Sequence, residues 1–327
     1  MTSTAPLPPL VRPMTPLLAL CDDRLRTAVA GHAQEVVRPA EDTLAAGGKR
    51  VRPLLVFCAA PRTALRDPAA RERLLIAGAA VELVHMATLV HDDLLDGATM
   101  RRGRPTVAQS LGAAMAVNTG DFLFARAFGQ LTRTGSARAV SALAAAALDL
   151  SQGEIDQQRS AFDLDLTEDA YLSRCRRKTA ALFSVSCRLG AMLGGASRSA
   201  EDRLAAFGEN VGMAFQIFDD ILDLAGAPAV TGKRRGTDLC DGTLTLPVIL
   251  ALQIEPGLRD EVASACQGPG LEGLCDRLAA HEGLQIARSR ALAFVASARR
   301  AIEEGPADGA DVPALLEIAD GVVDRYS

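Results

Sequence analysis

Two carboxylates and a histidine at helical spacing are the first residues in this chain able to do chemistry together. In Val81–Asp96, VELVHMATLVHDDLLD, the residues His85, Asp92 and Asp96 fall at i, i+7 and i+11. An α-helix would bring both acids to one face, one turn apart, with the histidine two turns below. Gly97–Thr106 then leaves the helical pattern and carries Arg101, Arg102 and Arg104. Carboxylates suit divalent cations, and arginines suit a bidentate anion such as diphosphate. In isolation, a solvated acidic helix end beside a basic turn would read the same way.

A second acid pair far along the chain argues against that plainer reading. Phe215–Asp223, FQIFDDILD, places Asp219 and Asp223 at i and i+4, with Gln216 on the same face three residues before Asp219. Ile217, Phe218, Ile221 and Leu222 surround the acids and predict burial, and buried carboxylates must be paired or metal-bound. Opposed across a cavity, the two pairs would repel each other unless cations lay between them. Mg²⁺ fits, because it takes only one or two carboxylates per ion and completes its shell with phosphate oxygens.

The elements that must position these groups are helical. The chain has 327 residues, 49% of them hydrophobic and only 4% aromatic. Ala and Leu dominate and β-branched runs are scarce, which favours helix almost throughout. Such a length allows a large core in one or two domains. The net charge of −5 supplies no basic field for nucleic acid. The seven cysteines are scattered without C-x-x-C spacing and read as reduced thiols of a cytoplasmic protein. Residues 1–16 are proline-rich and are expected to form a disordered leader, ahead of a single domain over 17–327. No apolar run is expected to reach the length of a transmembrane segment, although peripheral membrane contact is compatible with this composition.

In order, Leu17–Thr43 is expected to be a helical segment, stopped at Gly47-Gly48. In GGKRVRP (47–53) the cations Lys49, Arg50 and Arg52 stand at the start of an apolar helix and form a candidate anion cradle. A polar loop is expected over 61–73, with helices over Leu111–Leu131 and Ser136–Arg159. The cluster SQGE (151–154), with Asp156 and Gln157, either orients arginines or a metal-bound water, or marks a helix end. Glu168–Gly190 reads as a helix in which Lys178-Thr179, before an apolar run, suggests a phosphate ligand. Ala200–Leu224 is expected to carry the second acid pair, followed by a basic loop with Lys233. Further helices are expected beyond Thr245.

Taken together, these segments resemble the trans-isoprenyl diphosphate synthases of the polyprenyl synthetase family. The resemblance runs from about Ala45 to about Val248 through GGKRVRP, VHMATLVHDDLLD, RRGRPT (101–106), GDFLFARA (120–127), QGEI (152–155), KTAALF (178–183), FQIFDDILD and GKRRGTDLCDGTLTLP (232–247). It implies an all-α fold, a single large helical bundle with a deep central cavity, working as a homodimer. It also implies Mg²⁺-dependent condensation of isopentenyl diphosphate with an allylic diphosphate. Asp92, Asp96 and Asp219 would hold three Mg²⁺ ions, with Asp223 assisting. Arg101, Lys178, Gln216 and Lys233 would bind the allylic diphosphate, with Thr179 beside the forming cation. Lys49, Arg52, His85 and Arg102 would bind isopentenyl diphosphate. Val51 departs from the leucine more usual in the first motif.

Ala87 and Thr88, with Val84 beyond them, would form the floor of the product pocket. Their small size implies a medium- or long-chain product, roughly C30 to C50 at one isoprene unit per helical turn. A short-chain farnesyl or geranylgeranyl diphosphate synthase is the alternative. A class I terpene cyclase would share the first acid motif but normally carries an Asn/Asp-Ser-Glu type second motif and needs no isopentenyl diphosphate pocket.

Overall fold

Asp67 and Pro68 begin the helix on which the first acid pair is mounted. The Asp67 side chain accepts the Ala70 N–H at 2.7 Å, and Pro68 occupies the first turn, where its missing N–H has no consequence. The helix therefore starts well inside the polar loop expected over 61–73. Asp67→Ala should lower stability by about 1 kcal/mol, seen as a fall in the urea midpoint at unchanged m-value.

The computed structural model describes residues 9–31, 33–226, 235–264 and 270–324. The helices in order are α1 (Thr15–Val29), α2 (Gln34–Ala45), α3 (Val51–Ala59), α4 (Arg62–Arg66), α5 (Pro68–Leu95), α6 (Val107–Leu111), α7 (Ala113–Thr132), α8 (Ala137–Arg159), α9 (Glu168–Cys175), α10 (Ala181–Gly194), α11 (Arg198–Ala225), α12 (Thr237–Cys240), α13 (Leu246–Ile254), α14 (Arg259–Ser264), α15 (Leu271–Ala280), α16 (Glu282–Glu303) and α17 (Val312–Asp324). A π-helical turn, Arg176–Ala180, joins α9 to α10. The strands among the described residues form one hairpin, β1 (Met100–Arg101) with β2 (Arg104–Pro105). The all-α class expected from composition is what is observed.

The single domain expected over 17–327 resolves into two compact units, neither continuous in sequence. One comprises Met1–Ala147, Val185–Ala205 and Glu304–Ile318, and the other comprises Leu148–Ser184, Ala206–Glu303 and Ala319–Ser327. In the first unit α5 is the core rod, with Leu74–Val84 buried on every side. By length and composition it could cross a membrane, contrary to expectation. However, 78% of its most apolar window is buried inside the protein, as in a soluble core helix. In the second unit Tyr171, Phe183, Phe207 and Phe218 are the large buried side chains.

Of the leader expected over 1–16, residues 1–8 lie outside the described residues, while 9–16 are ordered. Val11 and Met14 are buried, the Leu10 and Val11 N–H groups donate to Glu317, and α1 begins at Thr15. Two apolar anchors and two hydrogen bonds offset the cost of ordering these residues. The helical segment expected over Leu17–Thr43 is interrupted at Ala30, whose backbone is extended. Cys240 is disulfide-bonded, which corrects the expectation of seven reduced thiols. Cys21, Cys58, Cys175, Cys187 and Cys275 are free and buried. Pairing of distant cysteines depends on tertiary approach, which sequence spacing does not reveal.

Candidate active site

In the first unit, the glycine hinge turns the chain into α3 through a left-handed residue. Arg50, the N-cap of α3, has φ +50. That costs free energy for a non-glycine residue and persists where the surroundings enforce it. Here its guanidinium enforces it: Nε donates to Asp22 Oδ1 at 2.8 Å and an Nη to Glu82 Oε1 at 2.9 Å, with the side chain only 10% exposed. The expectation of three cradle cations is corrected accordingly. Arg50 is a strut engaged by two acids, Asp22 and Glu82. Lys49 is exposed and Arg52 half-buried.

Arg102 approaches the same loop from the hairpin. Arg102 and Gly103 both have positive φ between paired Arg101 and Arg104, the signature of a two-residue type I′ turn. A Cβ added to Gly48 would lie 3.0 Å from the Arg102 guanidinium, so the hairpin arginine closes tightly over the glycine hinge. His85, Arg101, Arg102, Arg50 and Glu82 line one cleft; Lys49 and Arg52 are not among its lining residues. Burial, followed by the cations Arg52, Arg102, Arg101 and Arg50, holds the His85 pKa well below its usual 6.5. His85 is therefore neutral at neutral pH.

A pH effect on stability follows. The unfolded chain takes up a proton near 6.5 and the folded one resists it. Stability is therefore flat above that value and falls as the pH drops through it. His85→Gln should shrink the difference in Tm between about pH 7.5 and about pH 5.5, measured by calorimetry.

The three acids of the first motif have three different fates. Asp92 is half-buried, Asp96 is exposed at the C-cap of α5, and Asp93 is 5% exposed and accepts Arg101 Nε at 2.7 Å. Arg101 is thus anchored by Asp93, the acid between Asp92 and Asp96. One turn below Asp92, Thr88 is half-buried and its hydroxyl donates to the His85 carbonyl at 2.9 Å; Ala87 and Val84 are fully buried. His91 packs into α7: its Nε2 is 3.3 Å from the Val117 carbonyl, its ring centroid is 6.0 Å from that of Phe124, and a Cβ on Gly120 would fall 2.0 Å from Nε2. That wedge sets the rotation of α5 about its axis. Sequence reasoning missed it; a mid-helix glycine was its only signal.

In the second unit, the π-helical turn displays the Lys178-Thr179 pair. Such turns insert a residue and occur often at functional sites. Gly153 of α8 makes room for it, since a Cβ there would sit 2.5 Å from the Lys178 backbone nitrogen. Lys178 Nζ meets Glu154 Oε2 at 2.5 Å, and Arg177 meets Asp156 at 2.8 Å. The SQGE cluster is therefore not a helix end. It lies inside α8 and orients a lysine and an arginine.

The second acid motif repeats the logic of the first. Asp219 is half-buried, whereas Asp220 is 3% exposed and faces protein partners. Tyr171 OH donates to Asp220 Oδ2 at 2.5 Å, and Gln216 Nε2 donates to Oδ1 at 2.8 Å. Gln216 Oε1 accepts the Thr179 hydroxyl at 2.6 Å. Burial raises the Asp220 pKa, partly countered by the hydrogen bonds from Tyr171 and Gln216 and by the nearby Arg174 charge. Asp223 accepts the Thr237 and Asp238 backbone N–H groups on its two oxygens, so α12 orients it. Lys233 lies outside the described residues. No group of three or more His, Cys, Asp or Glu side chains able to hold a metal occurs among the described residues. An all-oxygen set of paired carboxylates, to be completed by phosphate oxygens, is the donor chemistry that Mg²⁺ takes.

The Polyprenyl synthetase family model matches residues 33–269. The chain belongs to that family. As a polyprenyl synthetase it is similar to heptaprenyl diphosphate synthase component 2 of Geobacillus stearothermophilus, 43% identical over 77% of this chain and 77% of that protein. Its structure resembles the heptaprenyl diphosphate synthase of Staphylococcus aureus, with a TM-score of 0.88 and 28% identity over 96% of this chain and 99% of that one. It also resembles a decaprenyl diphosphate synthase of Rhodobacter capsulatus, with a TM-score of 0.86 and 33% identity over 97% and 98%. The polyprenyl synthetase is a prenyltransferase. The family joins isopentenyl diphosphate to an allylic diphosphate and uses Mg²⁺.

Proposed function

We propose that the acid pairs serve the allylic diphosphate through Mg²⁺ and that the Arg102–His85 cleft of the first unit holds isopentenyl diphosphate. The observation carrying this reading is that both motifs turn their middle acid inward, to Arg101 and to Tyr171 with Gln216, and keep Asp92, Asp96 and Asp219 accessible. Asp92, Asp96 and Asp219 would hold up to three Mg²⁺ ions, which supply the positive charge that makes diphosphate a competent leaving group. Lys178 and Arg101, each fixed by a carboxylate, bind the same diphosphate, joined by Gln216 and by Lys233. Lys49, Arg52, His85 and Arg102 hold isopentenyl diphosphate.

The allylic C1–O bond breaks with its electron pair leaving on diphosphate. The double bond of isopentenyl diphosphate attacks C1, and a proton is lost to the departing diphosphate. Thr179 stands beside the developing cation, and the apolar floor below Thr88 and Ala87 accepts the growing chain. The exposed apolar Leu111 and Val117 support covering by a second copy in a homodimer. Peripheral membrane contact would serve product release. Five free thiols support a cytoplasmic setting, against which the Cys240 disulfide stands.

Incubation with labelled isopentenyl diphosphate and farnesyl or geranylgeranyl diphosphate, with and without Mg²⁺, tests the reading. Mg²⁺-dependent elongation supports it. A cyclised hydrocarbon or no turnover with any primer would sink it.

A further inference from the structure

We infer that Tyr171 and Asp220 are positioning residues that fix the hydrogen-bond polarity of Gln216 and Thr179, so that Thr179 presents oxygen lone pairs, and not a proton, to the reacting carbon. The inference rests on the proposed place of Thr179 beside the allylic cation and adds the buried groups behind it. The four side chains are joined in series within the second unit: Tyr171 OH to Asp220 Oδ2 at 2.5 Å, Gln216 Nε2 to Asp220 Oδ1 at 2.8 Å, and Thr179 Oγ1 to Gln216 Oε1 at 2.6 Å.

Its direction is set at the buried end. Both Asp220 oxygens accept in the structure, Oδ2 from Tyr171 and Oδ1 from Gln216, so the acid takes a donor from each neighbour. Tyr171 supplies its hydroxyl hydrogen, and Gln216 must turn its amide nitrogen towards Asp220. That leaves the Gln216 carbonyl oxygen facing Thr179, and a carbonyl can only accept. Thr179 therefore donates its single hydroxyl hydrogen to Gln216, and its oxygen faces away with lone pairs. A diphosphate oxygen would gain nothing from such a group, whereas a cationic carbon is stabilised by it.

The surroundings keep the chain from reversing. Tyr171 is fully buried and Asp220 is 3% exposed, while Gln216 and Thr179 are half-buried. Water therefore has least access at the acid that sets the direction and most at the hydroxyl that acts. Asp220 neighbours Asp219 in sequence, yet it points to Tyr171 and Gln216, which gives this second acid of the motif a role other than cation binding. Asparagine at 220 keeps the shape but adds an N–H, so the Gln216 amide can flip and Thr179 can turn its hydrogen outward.

The test compares two non-reacting probes of equal length: a prenyl thiolodiphosphate, neutral along its chain, and an aza-analogue whose ammonium nitrogen stands in the allylic cation. Against wild type, Asp220→Asn should weaken the aza-analogue about tenfold and the thiolodiphosphate less than about twofold, the first being about 1.4 kcal/mol. The kcat should fall about 10- to 100-fold with the allylic KM within about threefold, because the interaction exists only in the transition state. The Mg²⁺ concentration for half-maximal activity should not move. Tyr171→Phe, which removes a single hydroxyl and guards against misfolding of the first variant, should shift the same two ratios in the same direction by about threefold. Thr179→Val should reproduce the loss of aza-analogue selectivity. Equal weakening of both probes, no weakening of either, or a shifted Mg²⁺ requirement overturns the inference and leaves the proposed activity standing. Failure of wild type to bind either probe removes that activity, and the inference with it.

Discussion

Changing Asp92 to alanine should lower kcat by about a thousandfold, and changing Asp219 to alanine should do the same, because each would remove a carboxylate proposed to hold the Mg²⁺ that takes up the charge of the leaving diphosphate. The informative variant is the double one. Groups that serve one bound unit are strongly non-additive, so Asp92→Ala/Asp219→Ala should lose little more than either single change, again about a thousandfold. Independent sites would multiply to about a millionfold. Steady-state turnover of labelled isopentenyl diphosphate at saturating Mg²⁺ decides between the two. A multiplied loss would mean that the acid pairs do not share a diphosphate, and the proposed reaction would have no common site. The middle acids belong to a separate comparison, since Asp93 and Asp220 are held by Arg101, Tyr171 and Gln216.

Thr88→Phe should shorten the product by several isoprene units, to roughly C15–C20 at one unit per helical turn. Thr88 lies one turn below Asp92 on the same face of α5 and remains half-buried, whereas Ala87 and Val84 are fully buried. A benzyl group at 88 would stand directly beneath the reacting end. Ala87→Phe acts from a closed position and carries an overpacking cost of about 1–3 kcal/mol as well, so its product shift should come with a lower Tm. Chromatography of extracted, dephosphorylated products reads both. Unchanged chain length in Thr88→Phe would remove the floor from this part of α5.

The chemistry was legible because it is carried by residue types at fixed spacing along single helices. Asp92 with Asp96, and Gln216 with Asp219, are one-face relations that any α-helix imposes, and α5 and α11 supply those helices over Pro68–Leu95 and Arg198–Ala225. The glycine hinge before Arg52 and the Lys178-Thr179 pair were likewise readable from local composition. Breaks in regular structure were less so. The interruption between α1 and α2, the Arg102-Gly103 turn and the π-helical turn at Arg176–Ala180 depend on what each segment meets in space.

By itself, then, the sequence determined the helical class, the acid pairs, the cationic loop and the family's reaction. Tertiary structure alone decided which acid of each Asp-Asp pair turns inward, that Arg50 is a strut between Asp22 and Glu82, and that Glu154 of α8 holds Lys178. The physical reason is that periodicity fixes angles between residues on one helix but leaves the rotation of that helix about its axis free. Contacts from distant segments, such as His91 against Gly120 and Tyr171 against Asp220, set that rotation.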